Sequence, residues 1–253
     1  MNKDYRNYYR DIYSSFQKRK EREWTPKINA ALKEQTQQFL TAWQHTSKEH
    51  AIHAVTYFPL QKVLHELYIQ VGVQWGAKVN AQVKRDALKL KRMPIGFSEM
   101  LIRLITEYFM ENLLSDVQDI TETSRKEIMK VLIKADELGW SHDETVANLS
   151  APELTAARSR LIARTETVTS SNLAGDMAAR ATGLNLKKEW VAVDDSRTRN
   201  HHRDVDGVVL PIDDKFNVGG TLMLRPGDRG TTENRTPAKE VCNCRCVLVH
   251  IPI

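Results

Sequence analysis

The sequence predicts an α+β fold, in which a helical amino-terminal region is followed by a small mixed α/β carboxyl-terminal domain. From Trp24 to about Gly183, apolar residues recur mainly at spacings of three and four, which is typical of helices. After Gly183, short runs of β-forming residues replace the helical stripes, and Gly, Pro and Asp become frequent. The 253 residues suffice for one large domain or two modest ones. We therefore expect a helical region at 1–125 and a second domain at 126–253.

The helical part contains two clear amphipathic stripes. Residues 101–114 carry a broad apolar stripe, with Gly96 breaking the chain before it and Ser98 as a candidate N-cap. Residues 128–138 form the second stripe, which ends at Gly139, where glycine suits a left-handed C-terminal cap. Both stripes predict helices that bury one face.

Two capping boxes predict the helices that follow. Ser141 with Glu144 opens a short helix. Ser150 with Glu153 opens a long alanine-rich helix that runs to Thr182. This long helix should connect the helical region to the strands.

The last seventy residues are expected to hold three short strands, at residues 188–193, 208–212 and 246–251. Glycine-rich segments separate these strands and are expected to be turns or loops. They are Asp206-Gly207, Asn217-Val218-Gly219-Gly220 and Pro226-Gly227-Asp228-Arg229-Gly230.

Composition excludes several classes of protein. The chain is 41% apolar and 27% charged, which is ordinary for a globular protein. No run approaches the length of a membrane-spanning helix, and residues 1–22 lack the apolar core of a signal peptide, so we expect synthesis in the cytoplasm without export by that route. The three cysteines lie two residues apart, which disfavours a disulfide framework.

The net charge of +5 is unevenly distributed. Between residues 78 and 92, six cations accompany only Asp86, and residues 1–22 hold seven cations and three acids. Such stretches favour contact with DNA or an acidic protein surface. The candidate contacts are Lys78, Lys84, Arg85, Lys89, Lys91 and Arg92, together with Tyr5, Arg6, Tyr9 and Arg10 of an aromatic and basic arm. The alternatives are a solvated helix face for the first group and a first helix packed on the domain for the second.

Histidines and cysteines gather in two groups near the end of the chain. Residues 195–202 read Asp-Ser-Arg-Thr-Arg-Asn-His-His, and residues 242–246 read Cys-Asn-Cys-Arg-Cys. Imidazole and thiolate are good ligands for a borderline-soft metal ion, and two such groups can tie a small domain together. The pair of groups therefore predicts either a metal site or a metal-free clasp.

Six elements of the last 130 residues, in this order, resemble the phage Mu head protein F-like family, also called phage head morphogenesis or minor head proteins. They are Ile162-Ala163-Arg164-Thr165-Glu166, then Trp190, then Asp195-Ser196-Arg197-Thr198-Arg199 with His202, then Asp206-Gly207, Pro226-Gly227-Asp228 and Asn243-Cys244-Arg245-Cys246. The resemblance covers roughly residues 125 to 253. Residues 1–100 carry no motif of that family.

The resemblance implies a phage structural protein present in few copies per head. Such a protein would associate with the portal protein and with the major capsid or scaffold protein, and some members bind double-stranded DNA. The implied location is the virion, in the head interior or at the portal vertex, and the host cytoplasm during assembly.

The resemblance also bears on the metal. Many members carry Cys-x-x-Cys where this chain has Arg199 and His202, and pair it with the late Cys-x-Cys in a zinc site. A zinc ion here would use His202, Cys244 and Cys246, with a fourth ligand from His201, Cys242 or Asp195. The alternative is a metal-free clasp in which Arg199 and Asp195 replace the ion by a salt bridge. In either case the structural clasp would comprise Asp195, Arg197, Arg199, Asn243 and Arg245.

An enzyme is the alternative function. A metal-assisted hydrolase would need an open metal position beside a general base. The other enzyme considered is an ADP-ribosyltransferase, because some toxins carry domains that are distantly similar to this one. However, residues 126–253 contain no Glu-x-Glu pair. We therefore expect a head component that is not an enzyme and assign no catalytic residue.

Overall fold

The computed structural model describes residues 3–87, 96–231 and 234–253, and it confirms the α+β fold. The helices are α1 (Lys3–Trp43), α2 (Lys48–Ala51), α3 (Phe58–Asp86), α4 (Phe97–Tyr108), α5 (Leu114–Leu138), α6 (His142–Ser150), α7 (Glu153–Arg180), α8 (Asn200–Asp204) and α9 (Ala238–Val241). The strands are β1 (Leu186–Val191), β2 (Val209–Pro211), β3 (Phe216–Val218), β4 (Thr221–Met223) and β5 (Val247–Pro252). A 3₁₀ turn (Ile52–Ala54) follows α2, and a π-helical turn (Phe109–Leu113) joins α4 to α5. None of the helices in these ranges is long and apolar enough to cross a membrane.

Helix α7 lies at the centre of the molecule. Every residue from 165 to 176 is buried, because α1, α3 and β5 cover different sides of this helix. The side chains that face α3 are small, and α3 presents Gly72 and Gly76 to them. A Cβ atom at Gly76 would lie 3.1 Å from the carbonyl oxygen of Ala174. Glycine therefore allows the two helix backbones to approach closely.

The core continues from the helices into the strands. Trp75 of α3 packs against Tyr9 and Tyr13 of α1 at ring-centroid distances of 6.0 and 4.9 Å, and Val249 of β5 belongs to the same cluster. The expected boundary between residues 125 and 126 falls inside α5. A separate role for each side of that boundary stays a prediction.

The three expected strands form one antiparallel sheet in the order β2-β1-β5. Val191 of β1 pairs with Val247 of β5, which brings the end of one strand beside the start of the other. The hairpin β3–β4 was not predicted, since residues 217–220 indicated only a loop. Its strands are three residues each, too short to show an alternating pattern, and Gly219 and Gly220 form its turn with φ of 57° and 85°.

Of the four helix caps predicted from the sequence, two are confirmed. Ser141 and Glu144 form the expected capping box, and Gly139 has the left-handed conformation with φ of 65°. The N-cap at Ser98 is wrong, because α4 begins one residue earlier, after left-handed Gly96. The second capping box is also wrong: Ser150 is the last residue of α6, and α7 begins after Pro152 without a side-chain cap.

Candidate functional site

The loop after β1 and the segment before β5 lie side by side and are joined by a two-pronged ion pair. Arg245 donates from Nη1 to Oδ2 of Asp195 and from Nη2 to Oδ1, each at 2.6 Å. The pair is partly exposed, since 15% of the arginine side chain and 33% of the aspartate side chain are accessible. Arg197 is a weaker partner of the same carboxylate at 3.4 Å. We call residues 195–199 and 242–246, with these contacts, the clasp.

Arg199 contributes to the clasp through a different partner from the expected one. Its Nη2 donates to the backbone carbonyl of Cys242. The predicted salt bridge between Arg199 and Asp195 is therefore wrong, and Arg245 takes that place. Arg245 lies two residues before β5, and the pairing of β5 with β1 places it opposite the loop that follows β1.

Asn243 connects the clasp to the helices. It has left-handed backbone geometry with φ of 60°, which asparagine tolerates better than most residues. Its backbone N–H donates to Oγ1 of Thr165 at 3.1 Å, and its side-chain oxygen accepts from Arg164 at 3.1 Å. Arg164 also donates twice to Glu21 of α1, at 2.9 and 2.7 Å. The clasp is thus continuous with α7 and α1.

His202 and two cysteines of the clasp, Cys244 and Cys246, form a buried cluster. Nδ1 of His202 lies 3.4 Å from Sγ of Cys246 and 3.7 Å from Sγ of Cys244. One ligand atom of each residue lies within 4.8 Å of the others. All three side chains are nearly inaccessible to solvent. Trp190 of β1 packs against the cluster, because its ring meets that of His202 edge to face at a centroid distance of 5.5 Å.

The pKa values of the two thiols in this cluster are shifted in opposite directions. The hydrogen bond from Cys246 lowers the pKa of Cys244 well below its usual value; burial opposes this shift and His202 reinforces it. The same bond, together with burial, raises the pKa of Cys246 well above its usual value. Burial works against a raised pKa for His202, but the hydrogen bond and charge of Cys244 raise it. Of the two thiols, Cys244 is therefore the one that loses its proton more readily.

The donor set fits three of the four positions of a structural zinc ion. Two thiolates and one imidazole are ligands that zinc prefers, and the three atoms face one another. Nε2 of His202 lies 3.3 Å from Oε2 of Glu240, but the two atoms form no hydrogen bond. The carboxylate therefore acts on the imidazole mainly through its charge. A carboxylate in that position resembles the partner that often orients a metal-binding histidine.

The structure does not bring the other predicted ligands into the cluster. His201 is about half exposed and faces Glu240. Cys242 lies away from the trio and lines a cavity of about 200 Å³ with Glu166 and Arg229. The carboxylate of Asp195 is held by Arg245. Within the described ranges, no fourth His, Cys, Asp or Glu ligand joins the three.

Sequence reasoning missed Glu240. Its carboxylate is buried between the two histidines, with His201 Nδ1 at 3.2 Å from Oε1. Nothing in the local sequence distinguishes this glutamate from a surface residue. Its position depends on α9, a helix of four residues that no periodicity could predict.

Sequence reasoning also missed a second buried network around Arg229. This residue pairs with Glu166 of α7 at 2.5 Å and with Asp116 of α5 at 3.4 Å. Although burial works against it, the two carboxylates raise the pKa of Arg229. The motif residue Glu166 also accepts from the hydroxyl of Tyr68 at 2.8 Å. Both acids are engaged in holding the loop after β4 against α5 and α7.

The predicted partner contacts on α1 have internal partners. Arg6 pairs with Glu189 at 2.6 Å and with Asp206 at 2.8 Å, and Arg10 donates to the carbonyl of Ala192 at 2.8 Å. Tyr9 is buried, and Tyr5 donates to Asp86 at 2.6 Å. These four residues therefore pack on the domain from the first helix, and their contact with a partner stays a prediction.

The predicted contacts on α3 lie nearer the surface. Lys78 and Arg85 are exposed, and Lys84 is half-buried. Lys89, Lys91 and Arg92 lie outside the described residues.

Comparisons with known proteins match the part of the chain that contains these motifs. Residues 126–249 match the family model of "Phage Mu protein F like protein". The chain is 37% identical over 103 residues to "Minor head protein GP7" of Bacillus phage SPP1, a match that covers 39% of this chain and 31% of that protein. It is 32% identical over 112 residues to "NAD(+)--arginine ADP-ribosyltransferase EFV" of Enterococcus faecalis, covering 44% of this chain and 21% of that protein. No solved structure gives a significant match.

The matches cover less than a third of either relative's length. The six motif elements, from residue 162 to residue 246, all lie inside the segment that the family model matches. The resemblance inferred from the sequence is therefore confirmed: residues 126–249 match the Phage Mu protein F-like family.

Proposed function

We propose that this protein is a minor head protein that takes part in phage head morphogenesis. The observation that carries the proposal is the match of residues 126–249 to the family, together with the clasped domain in which its motif residues contact one another. The name of the relative from phage SPP1 supports the same role. In this role the protein presents surfaces to other head subunits, and the clasp preserves the shape of one of them.

The proposed partners are the portal protein and the major capsid or scaffold protein, and the proposed location is the virion, in the head interior or at the portal vertex. Assembly would take place in the host cytoplasm. Double-stranded DNA is a further proposed partner, supported by the six cations between residues 78 and 92. Binding that depends on phosphate charge falls steeply with salt concentration.

A pull-down tests the assembly role. The tagged full chain is mixed separately with portal, major capsid and scaffold subunits of the same phage, and the bound subunit is quantified. We expect stable retention of at least one of them and recovery of the protein in purified virions by mass spectrometry. Failure to retain any of the three, with absence from virions, would overturn the proposal.

An enzymatic role is the second candidate, because one relative is named an arginine ADP-ribosyltransferase. The match covers only 21% of that protein, so its name does not by itself describe the shared part. Two acids of the matched segment, Glu166 and Asp195, are held in ion pairs with arginines. We propose that the chain transfers no ADP-ribose. Incubation with labelled NAD and an arginine-rich protein should leave that protein unlabelled, and labelling would contradict this.

We also propose that His202, Cys244 and Cys246 hold a zinc ion. The support is the chemistry of the buried donor set and the position of Glu240 behind the histidine. A bound zinc would supply a structural cross-link between α8 and the segment before β5. Elemental analysis of protein purified without chelator should find close to one zinc per chain, whereas a zinc content near zero would leave the metal-free clasp.

A further inference from the structure

A cleft opens between the first turns of α1 and the last turns of α3, away from the clasp. Its volume is about 240 Å³. The residues that matter for its chemistry are Tyr8 and Tyr9 of α1 and Trp75, Lys78, Gln82 and Arg85 of α3. The cleft therefore combines aromatic rings with cationic side chains.

The aromatic side of the cleft has one exposed ring. Tyr8 is 57% exposed, whereas Tyr9 is buried and meets Trp75 edge to face with a centroid distance of 6.0 Å. The ring of Tyr5 lies 6.5 Å from that of Tyr8 and supports it from one side. Tyr8 thus presents an aromatic surface at the rim of a cleft whose interior is already packed.

The cationic side of the cleft follows one face of α3. Lys78, Gln82 and Arg85 are four and then three residues apart, so they share that face, and the two cations are about 10 Å apart along the helix axis. Neither cation forms an ion pair with any residue in the described parts of the chain. The nearby acid Asp86 accepts hydrogen bonds from Tyr5 and Gln82, each at 2.6 Å, so its carboxylate is already engaged.

Aromatic rings hold Lys78 at the edge of the cleft. Its Nζ atom lies 5.5 Å from the ring centroid of Phe16 and 5.9 Å from that of Trp75. Two cations, Lys78 and Arg85, therefore line the cleft, and cation–π contacts position Lys78.

We propose that this cleft binds a nucleotide of single-stranded nucleic acid. The base stacks on Tyr8, and the phosphates on either side contact Lys78 and Arg85. A base inside a duplex has both faces covered by its neighbours, so only an unpaired base can use the exposed ring. An acidic peptide would use the cations but would have no planar group for Tyr8. The proposal goes beyond assembly of the head, since contact with another head subunit does not require it.

Fluorescence anisotropy with a labelled oligothymidylate of about 12 nucleotides tests the proposal. Tyr8→Ala should weaken binding about tenfold, while Tyr8→Phe, which keeps the ring, should bind nearly as the unchanged protein does. Lys78→Gln with Arg85→Gln should reduce the slope of log affinity against log salt by about 1.4. Lys62→Gln removes an exposed cation farther along the same helix and serves as the control, with little expected effect.

Three outcomes would overturn the proposal. They are absence of binding to the oligonucleotide, binding that Tyr8→Ala leaves unchanged, and equal affinity for a duplex of the same length. Equal competition by polyglutamate would instead indicate an acidic protein partner and would also overturn it. Because Tyr8 is exposed, its variants should retain the unchanged thermal melt, which excludes unfolding as the cause. The pull-down with head subunits remains independent of all these results.

Discussion

Asn172, in the middle of α7, accepts the backbone N–H of Leu248 on β5 at 2.8 Å. Its side-chain nitrogen donates to the carbonyl of Cys246 at 3.1 Å and to the carbonyl of Val168 at 3.0 Å. One amide thus fastens the start of β5 to the central helix, immediately after the clasp. The residue is buried, so water cannot replace these bonds.

Asn172→Ala should therefore destabilise the protein by roughly 2 to 4 kcal/mol, because it leaves buried backbone groups of β5 without partners. Denaturant unfolding of the variant and of the unchanged chain measures the difference. Asn148→Ala is the matched control, since Asn148 is exposed and bonds only to the carbonyl of Glu144 within its own helix. A loss of stability no larger than in the control would show that the Asn172 bonds contribute little.

Asp195→Asn should change how stability depends on pH. The hydrogen bonds from Arg245 lower the pKa of Asp195 in the folded protein. A carboxylate with a depressed folded pKa contributes stability that is present above its unfolded pKa, about 4, and is lost as pH falls through the folded pKa. The side chain is one-third exposed, so we expect a contribution of no more than about 1 kcal/mol.

Denaturant unfolding at neutral pH and below pH 4 checks this. The difference in unfolding free energy between the unchanged protein and Asp195→Asn should be positive at neutral pH and should shrink on acidification. A difference that stays constant, or grows on acidification, would contradict the assignment.

Cys244→Ser with Cys246→Ser should lower the melting temperature by several degrees. The change puts two more polar groups into a buried site and removes two of the three zinc ligands. Addition of a chelator should lower the melting temperature of the unchanged protein but should not change that of the double variant. Cys242→Ser serves as the control because Cys242 lies outside the cluster. Equal melting of all three proteins would remove the structural role of the two thiols.

Gly227→Ala should cost more stability than Gly220→Ala. Both glycines have positive φ, 78° and 85°, so each substitution carries the cost of a left-handed alanine, about 1 kcal/mol. Only at Gly227 would the added Cβ collide with the backbone, since it would lie 2.8 Å from Cα of Thr169 on α7. At Gly220 the same atom would meet open space. The difference between the two losses in unfolding free energy measures the cost of the collision at Gly227. Equal losses in the two variants would disprove the collision.

The sequence predicted the elements that rest on local patterns. The capping box at Ser141, the left-handed Gly139 and the three strands of the main sheet needed only neighbouring residues to be recognised. The first turns of α1 were harder to assign, because their apolar positions are tyrosines interleaved with arginines. Two of those tyrosines, Tyr9 and Tyr13, are buried against Trp75 of α3, which lies some sixty residues away in the chain.

The clasp was predicted in outline, but its pairings were not. The two segments could be named from their residues, whereas the choice of Arg245 over Arg199 as the partner of Asp195 depends on the pairing of β1 with β5. Glu240 and Arg229 could not be singled out at all. Each is an ordinary charged residue in the sequence and acquires its role only when distant helices bury it.

Helix α7 also illustrates why buried helices can be misread. Its buried stretch contains threonine, serine and asparagine, which normally indicate a solvent-exposed face. Thr169 and Ser171 satisfy their hydroxyl groups by donating to backbone carbonyls one turn earlier in the same helix. Because these hydroxyl groups are hydrogen-bonded within the helix, the side chains can be buried, and their small volume allows neighbouring elements to pack closely.

Because α7 is enclosed by α1 and α3 on one side and β5 on another, the two ends of the molecule cannot move independently. A fragment that began at residue 126 would expose the wall of α7 that α1 and α3 cover, and such a fragment should aggregate when separated from them. The strands of the carboxyl-terminal part therefore depend on the amino-terminal helices for a covered core.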